Sequence, residues 1–413
     1  MRKMKDSGIE WIGEIPEGWE VGQIGQLYSE RRTKVSDKDY PPLSVTMKGI
    51  LPQLSTAAKT DAHDDRKLVC KGDFAINSRS DRRGSCGISE QDGSISLINT
   101  VLKPRGEMNP GYYNWLFHTS MFADEFYKWG HGIVDDLWTT GWSDMKKIGV
   151  PVPSKCEQKQ LAEHLNVECS HIDSILSKTC SSIEEYKKLK QSVITQAVTK
   201  TIYDDFGNPS KFRKLRSLCD VLSKGTTPKD IETQNDEFYC IRYLKSENIV
   251  SNQLNLNPTF FITAETNNSL ERSKLNSGDI LFVIAGASIG KVAITTADFL
   301  PANTNQAVAF IRLSSSYQYA TKYIWYFLQS DVVKQLIALS AVQSAQPNLS
   351  LEDLGAMRLP LPDQMGCLKI TDYLDAKCAE IDGLIVKKEQ LVKELESYKK
   401  SLIYEVVTGK REV

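Results

Sequence analysis

No stretch of this chain approaches 18 consecutive apolar residues, so no membrane-spanning helix is indicated. The start, MRKMKDSGIEWIGEIP, carries basic residues but no apolar core of the length a secretion signal needs, and a cytoplasmic location is expected. Nine cysteines are scattered without a C-x-x-C pair, which argues against a disulfide framework or a zinc site. They read as reduced core residues, Cys169 and Cys378 among them. Histidine is scarce: His63, His118, His131, His164 and His171 are all there is, so a duplicated histidine-based site is excluded. A surplus of charge is also missing, with 51 Lys and Arg against 52 Asp and Glu. Nucleic-acid-binding domains often have a pI above about 9, so any such contact here must come from local clusters or be shared with a partner.

Catalytic motifs are missing too. Neither H-E-x-x-H nor G-x-G-x-x-G occurs. YPPL (40–43) lacks the polar lead and the aromatic end of an adenine-methyltransferase motif. GASIGKV (286–292) is one residue too short for a phosphate loop, and Val292 replaces the hydroxyl that would bind magnesium. A tight turn between strands is the better reading, with Gly286 and Gly290 supplying conformational freedom. His164 and His171 are seven apart on a predicted helix and lack the carboxylate pattern of a metal site, so they read as surface residues.

What is present is a repeat. IGVPVP (148–153) returns as MRLPLP (357–362), and the offset of 209 holds without a gap to Thr199 and Thr408. Matched pairs include Leu165/Leu374, Ile172/Ile381, Asp173/Asp382, Lys190/Lys399 and Val198/Val407. Apolar residues recur in steps of three, four and seven: Leu161, Leu165, Ile172, Leu176, Ile183, Tyr186, Leu189 and Val193, then Ile370, Leu374, Ile381, Ile385, Val392, Leu395, Tyr398 and Leu402. That pattern predicts a long amphipathic helix in each copy, with a coiled-coil-like seam that needs a partner. The obvious partner is the other copy. The Pro-x-Pro at each head ends the preceding strand.

The segments before the helices repeat more faintly. KGDFAINSRSDRRGSCGI (71–88) resembles SGDILFVIAGASIGKVAI (277–294) at an offset of 206, which Asn99 and Asn305 also share. YYNWLF (112–117) resembles KYIWYF (322–327). ILFVIA and AVAFIRL have strand character, and YIWYFLQSDVVKQLIAL reads as a helix. The 413 residues therefore form two half-molecules, each a mixed α/β (α+β) globular region followed by a long helix.

The opening KDSGIEWIGEIPEGWEV, LSKGTTP (222–228), the two P-x-P heads and the helix ends QSVITQAVTK and KSLIYEVVTGK resemble Type I restriction-modification specificity subunits, and the resemblance covers essentially the whole chain. It implies two target-recognition domains, 1–150 and 205–358, and two helical spacer regions, 151–204 and 359–413. The helices pair antiparallel about a pseudo-twofold axis through Leu165, Ile172, Leu176, Ile183, Leu189, Leu374, Ile381, Ile385, Val392, Leu395 and Leu402. Each domain reads one half of a split double-stranded DNA site. The subunit is not an enzyme and holds no cofactor. It binds two methylation subunits, which use S-adenosylmethionine, and restriction and translocation subunits, which use ATP and magnesium.

A reader needs cations for phosphates and polar or arginine side chains for base edges. The first domain offers Arg31, Arg32, Lys34, Lys48 and the cluster Arg79, Arg82 and Arg83. The second offers Lys224, Thr226, Thr227, Lys229, Arg242, Lys245, Asn303, Asn305 and Gln306. KFRKLR (211–216) is basic but close to the inter-half linker. The competing readings are a scaffold that reads no sequence, and a hidden NTPase or methylase. The purified chain alone is expected to neither cut nor methylate DNA, nor turn over ATP. Robust ATP turnover lost in Lys291→Ala would reinstate the phosphate loop.

Overall fold

In the computed structural model, the described residues are 2–53, 64–79, 82–106, 108–132, 138–199, 212–341 and 348–413. His63, Lys211 and the expected junction at 204/205 lie outside them. The chain divides into two compact units, Met1–Cys180 with Gln390–Val413, and Ser181–Glu389. The division runs through both long helices, the central Lys155–Thr199 and the C-terminal Gln364–Val407. Each unit thus comprises one globular part and a stretch of each helix, rather than consecutive domain and spacer segments.

The two larger sheets of unit 1 are built from β1 (Tyr28–Glu30), β2 (Lys34–Val35), β3 (Arg66–Val69), β4 (Phe74–Asn77), β5 (Cys86–Ile88), β6 (Gly93–Ile95) and β7 (Asn99–Pro104). They form a four-stranded sheet, β5–β4–β7–β1, and a three-stranded sheet, β6–β3–β2. Helices α1 (Pro110–Phe117) and α2 (Ser120–Lys128) follow, each opened by a side-chain cap, Asn109 and Thr119. Their aromatic residues build the core: Phe117 packs 4.9 Å from Phe74 and 4.5 Å from Phe122, ring centre to ring centre.

Unit 2 repeats the plan with β8 (Cys219–Lys224), β9 (Tyr239–Leu244), β10 (Phe261–Thr263), β11 (Ile280–Val283), β12 (Val292–Ile294), β13 (Ala302–Thr304) and β14 (Val308–Leu313). The sheets are β8–β14–β11–β12 and β10–β9–β13. Helices α3 (Thr321–Leu328) and α4 (Asp331–Ala341) follow. The strand registers revise one sequence match. Phe74 pairs with Leu102 and Asn77 with Asn99, as Ile280 pairs with Ile311 and Val283 with Val308. From Phe74 to Ile280 the offset is 206, but from Leu102 to Ile311 it is 209. The counterpart of Asn99 is therefore Val308, not Asn305.

One polar device is common to both units. Gly72 and Gly278, at φ 88° and 87°, turn the chain into β4 and β11, and the next residue is a buried aspartate. Asp73 accepts the Cys70 N–H at 2.9 Å, and Asp279 accepts the Asn276 N–H at 2.7 Å. Each carboxylate then receives two N–H groups from an arginine, but from different strands. Arg31, just past β1, reaches Asp73 at 2.6 and 3.1 Å, whereas Arg312 on β14 reaches Asp279 at 2.8 and 2.7 Å. A buried carboxylate needs such a partner.

The helices pair antiparallel within each unit. In unit 1, Asp173 meets Lys399, while the Trp19 ring lies against both Glu157 and the Gly409 backbone, so one helix ascends as the other descends. In unit 2, Lys190 meets Asp382, and Gln196 and Ala197 share a groove of about 370 Å³ with Lys369 and Ile370. The two ion pairs join the same repeat positions, an aspartate of one copy and a lysine of the other. Leu165, Ile172, Cys169 and Leu402 fill the unit 1 seam, with Leu176 and Leu395 packed at its edge and Val392 half-buried. Leu374 and Cys378 join the unit 2 core, where Ile183, Ile381 and Ile385 are also buried.

Leu189 was expected in the seam and is not there. It is 48% exposed, as its repeat partner Tyr398 is at 45%. The seam place belongs to the next residue, Lys190 or Lys399, whose aliphatic stem packs while its ammonium reaches the facing aspartate. Cysteines divide likewise: Cys86, Cys169, Cys367 and Cys378 are buried, but Cys156, Cys180 and Cys240 are exposed.

The globular part of each unit grips its helices at matched places. The Tyr112 hydroxyl donates to the Val407 carbonyl at 2.6 Å, while the Tyr323 hydroxyl donates to the Pro360 carbonyl at 2.7 Å and lies 3.3 Å from the repeat-matched Val198 carbonyl. Trp115 donates to Asn166 at 2.9 Å, and Tyr326 to Asp375, again the matched position, at 2.7 Å. Leu374→Ala should cost about 2–5 kcal/mol, as truncation of a fully buried leucine does. Leu189→Ala should stay within about 0.5 kcal/mol. Denaturant unfolding of the two variants measures both.

Candidate nucleic-acid interface

Strand direction decides which loops share an end of each sheet. In unit 2, β8 ends at Lys224 opposite Ala309, β14 begins at Val308, β11 ends at Val283 and β12 begins at Val292. The loops 225–229, 304–307 and 284–291 therefore leave from one end. In unit 1 the corresponding end carries residues 31–34, 78–79, 82–85 and 96–98, because β4 ends at Asn77 opposite Asn99 and β5 begins at Cys86. The Arg31 N–H bonds the Val101 carbonyl and so carries the β1 pairing on toward that end.

The structure thus brings together two sequence motifs of unit 2. In KGTTP, Gly225 donates to the Val308 carbonyl at 3.3 Å and Thr226 to the Thr304 carbonyl at 3.2 Å. Thr227 bonds the Gln306 side chain, and the Tyr243 hydroxyl holds the Thr226 carbonyl at 2.9 Å. Burial raises the Tyr243 pKa, so this hydroxyl stays a donor. Lys224, Thr226, Thr227, Lys229 and Gln306 are exposed, and Asn305 is half-buried beside them. Lys245 is at the same end, its ammonium 3.4 Å over the Phe260 ring. Arg242, earlier on β9, instead donates to the Asp298 carbonyl.

Asn303 is a correction. It is fully buried on β13 and spends its amide on Asn267 at 3.1 Å and the Leu270 carbonyl at 3.2 Å. It organises the core and is not presented to a duplex. Arg31 is the second correction, since the buried Asp73 carboxylate claims its guanidinium on two N–H groups. A base edge could take it only by leaving that carboxylate unpaired.

The remaining cations of unit 1 are near the sheet end or beside it. Arg32 is exposed and pairs Glu30 at 2.6 Å, and Lys34 pairs Asp65 at 2.5 Å. Arg79 is half-buried and bridges to Thr139, while Arg82 is exposed. Arg83 pairs Asp124 at 3.1 Å and lies 5.4 Å over the Tyr127 ring. Lys48 is exposed at the tip of the hairpin Leu43–Thr46 and Gly49–Pro52, which rests on Gly87 of β5. Sequence reading missed Lys67, on β3, whose ammonium donates to the Asn99 carbonyl at 2.7 Å. Its place depends on strand pairing, which the local string DRKLVC does not reveal.

The GASIGK loop joins the antiparallel strands β11 and β12, with Gly286 and Gly290 both at φ 87°. A phosphate loop feeds a helix, whereas here a strand follows, so the turn reading holds. A Cys86–His118 pair lies in the unit 1 core with Sγ 3.7 Å from Nε2. Burial pushes the thiol far up and the imidazole down, so both stay neutral and no thiolate nucleophile forms. Among the described residues no cluster of three or more His, Cys, Asp or Glu is placed to hold a metal ion.

Gly225 is the tightest point of the unit 2 end. A Cβ there would lie 1.8 Å from the Thr304 carbonyl oxygen and 2.6 Å from that of Asn305. Both are backbone atoms and cannot swing away. Gly225→Ala should cost at least about 1–3 kcal/mol and disturb sequence preference at one half-site only. Thermal melting and selection from a randomised duplex library measure the two effects.

The family described as Type I restriction modification DNA specificity domain matches residues 208–391. The chain is similar to the Type I restriction enzyme MjaVIII specificity subunit of Methanocaldococcus jannaschii, 24% identical over 96% of this chain and 93% of that one. It is also similar to the EcoBI specificity subunit of Escherichia coli, 28% identical over 52% of this chain and 48% of that one. A chain from a structure concerned with assembly and conformational transition of the type I R-M system shares the fold at a TM-score of 0.73 and 12% identity, over 95% of this chain and 98% of that one. The HsdS subunit from Thermoanaerobacter tengcongensis shares it at 0.54 and 14%, over 96% and 98%. The sequence likeness, the family match over residues 208–391 and the shared fold agree: the chain is similar along its length to the DNA specificity subunits of Type I restriction-modification systems.

Proposed function

We propose that each unit reads one half of a split duplex site through the end of its four-stranded sheet. The observation that carries this reading is the convergence at that end. In unit 2 it gathers Lys224, Thr226, Thr227, Asn305 and Gln306, and in unit 1 Arg32, Lys34 and the loop of Arg79, Arg82 and Arg83. Threonine, asparagine and glutamine suit base edges, and lysine suits phosphates. The same scaffold thus presents two different sets of side chains, as two different half-sites require.

On this reading the chain is cytoplasmic and has no catalytic activity of its own. Its paired helices set the spacing of the half-sites and dock two methylation subunits. Those subunits bring S-adenosylmethionine, and the restriction and translocation subunits bring ATP and magnesium. With net charge −1, the chain supplies little general attraction for DNA, so its partners contribute to holding the duplex.

Changing Arg79, Arg82 and Arg83 together to Ala should relax reading of one half-site while the other keeps its bases. Each lost base contact is worth roughly 1–3 kcal/mol of discrimination. Selection from a duplex library by the assembled complex is the measurement. Equal loss in both halves would mean that the cluster contacts phosphate generally or supports the fold. Binding with no preference in either half, for the parent chain, would favour a scaffold.

A further inference from the structure

Lys67 has no carboxylate to balance it among the described interactions. It stands on β3 directly opposite Lys34 of β2. Residues facing each other across an antiparallel pair share a face of the sheet, and like charges there oppose folding. Arg66, the preceding residue, serves the other face and is spent on the Ser94 hydroxyl and carbonyl, both at 2.9 Å. Around Lys67 there are two neighbouring cations and two anions, and the anions are taken. Arg32 holds Glu30, and Lys34 holds Asp65. Lys67 has only a neutral acceptor, the Asn99 carbonyl. It is also the least exposed of the three cations. Burial lowers its pKa; the Glu30 charge works to raise it and the Arg32 charge to lower it further.

The fold uses one N–H of this ammonium, on the Asn99 carbonyl, and leaves its charge unbalanced. Its location supplies the missing term. The carbonyl it holds belongs to the first residue of β7, at the sheet end where residues 31–34, 78–79 and 82–85 lie. We infer that Lys67 is a phosphate contact for duplex DNA bound at this end of unit 1. The Asn99 carbonyl anchors one N–H, the other two donate to a phosphate oxygen, and the polyanion provides the negative charge that the fold withholds. A phosphate is favoured over a base edge because the ammonium is a point donor on a stem fixed to a strand, without the planar fork that matches a base. The inference rests on the reading that this end faces DNA.

The test uses the complete complex with its methylation subunits, carrying Lys67→Met or Lys67→Arg, titrated with its duplex over a salt series and with duplexes altered in each half-site. Lys67→Met should reduce the slope of log affinity against log salt by about 0.9, the contribution of one phosphate. It should weaken every duplex alike, by roughly tenfold. The free chain should melt no lower than the parent, because the opposed lysine pair is relieved. Lys67→Arg should keep the slope. An unchanged slope in Lys67→Met would overturn the inference, and a lower melting temperature alongside it would make Lys67 a structural residue. Loss confined to duplexes with one particular base would also overturn it, in favour of base reading. The triple arginine variant is titrated in parallel. If it weakens binding and Lys67→Met does not, only the lysine inference falls; if neither variant alters binding, the duplex does not meet this end of the unit.

Discussion

A carboxylate without water around it must be met by a cation, and Asp73 and Asp279 impose that demand on the centre of each unit. Each stands at the entry to a central strand and ties together a Gly turn, a backbone N–H and an arginine from another strand. The arginine is free to come from either side: Arg31 follows β1, and Arg312 lies on β14. The acid, not the arginine, is the repeated element. That is why a repeat so faint in sequence yields two sheets of the same order. It is also why an arginine that looks available in the string RRTK is already committed.

With the sheets pinned at one end, the other end is left to vary. The loops there differ in nearly every residue between the units, yet they leave from equivalent registers. Unit 1 fills them with arginines and unit 2 with hydroxyls and amides. Constancy in the buried half and divergence at one rim is the arrangement expected when a scaffold is shared and its targets are not.

Much of this was legible in the sequence because it is periodic. The helices, their extent, the Pro-x-Pro heads and most of the seam follow from steps of three and four, and the family resemblance follows from their order. The failures have physical causes. Leu189 was preferred to Lys190 because a pattern of apolar letters does not register a lysine that buries its stem and pairs its head. Asn303 read as a base reader because composition cannot tell a buried amide from an exposed one. The Asn99 and Asn305 match was a coincidence of offset that only strand register could dissolve. At the rim, the convergence of KGTTP with NTNQ is a long-range contact and leaves no local trace.

The grip of the globular parts on the helices has a consequence for how such chains can diverge. Tyr112 and Tyr323 are each the third residue of their helix, and each hydroxyl faces the main-chain carbonyl at the same helical position, Val407 or Val198. Every residue type offers that oxygen, so the helix can change its side chain there without releasing the domain. The opposite holds one helical turn from the middle of the grip, where Trp115 requires an acceptor at Asn166 and Tyr326 requires one at Asp375. A recognition domain exchanged between chains therefore travels intact only if it brings its own aromatic helix and finds an acceptor side chain waiting at that single position. The helices act less as a matched lock than as a rail with one keyed notch.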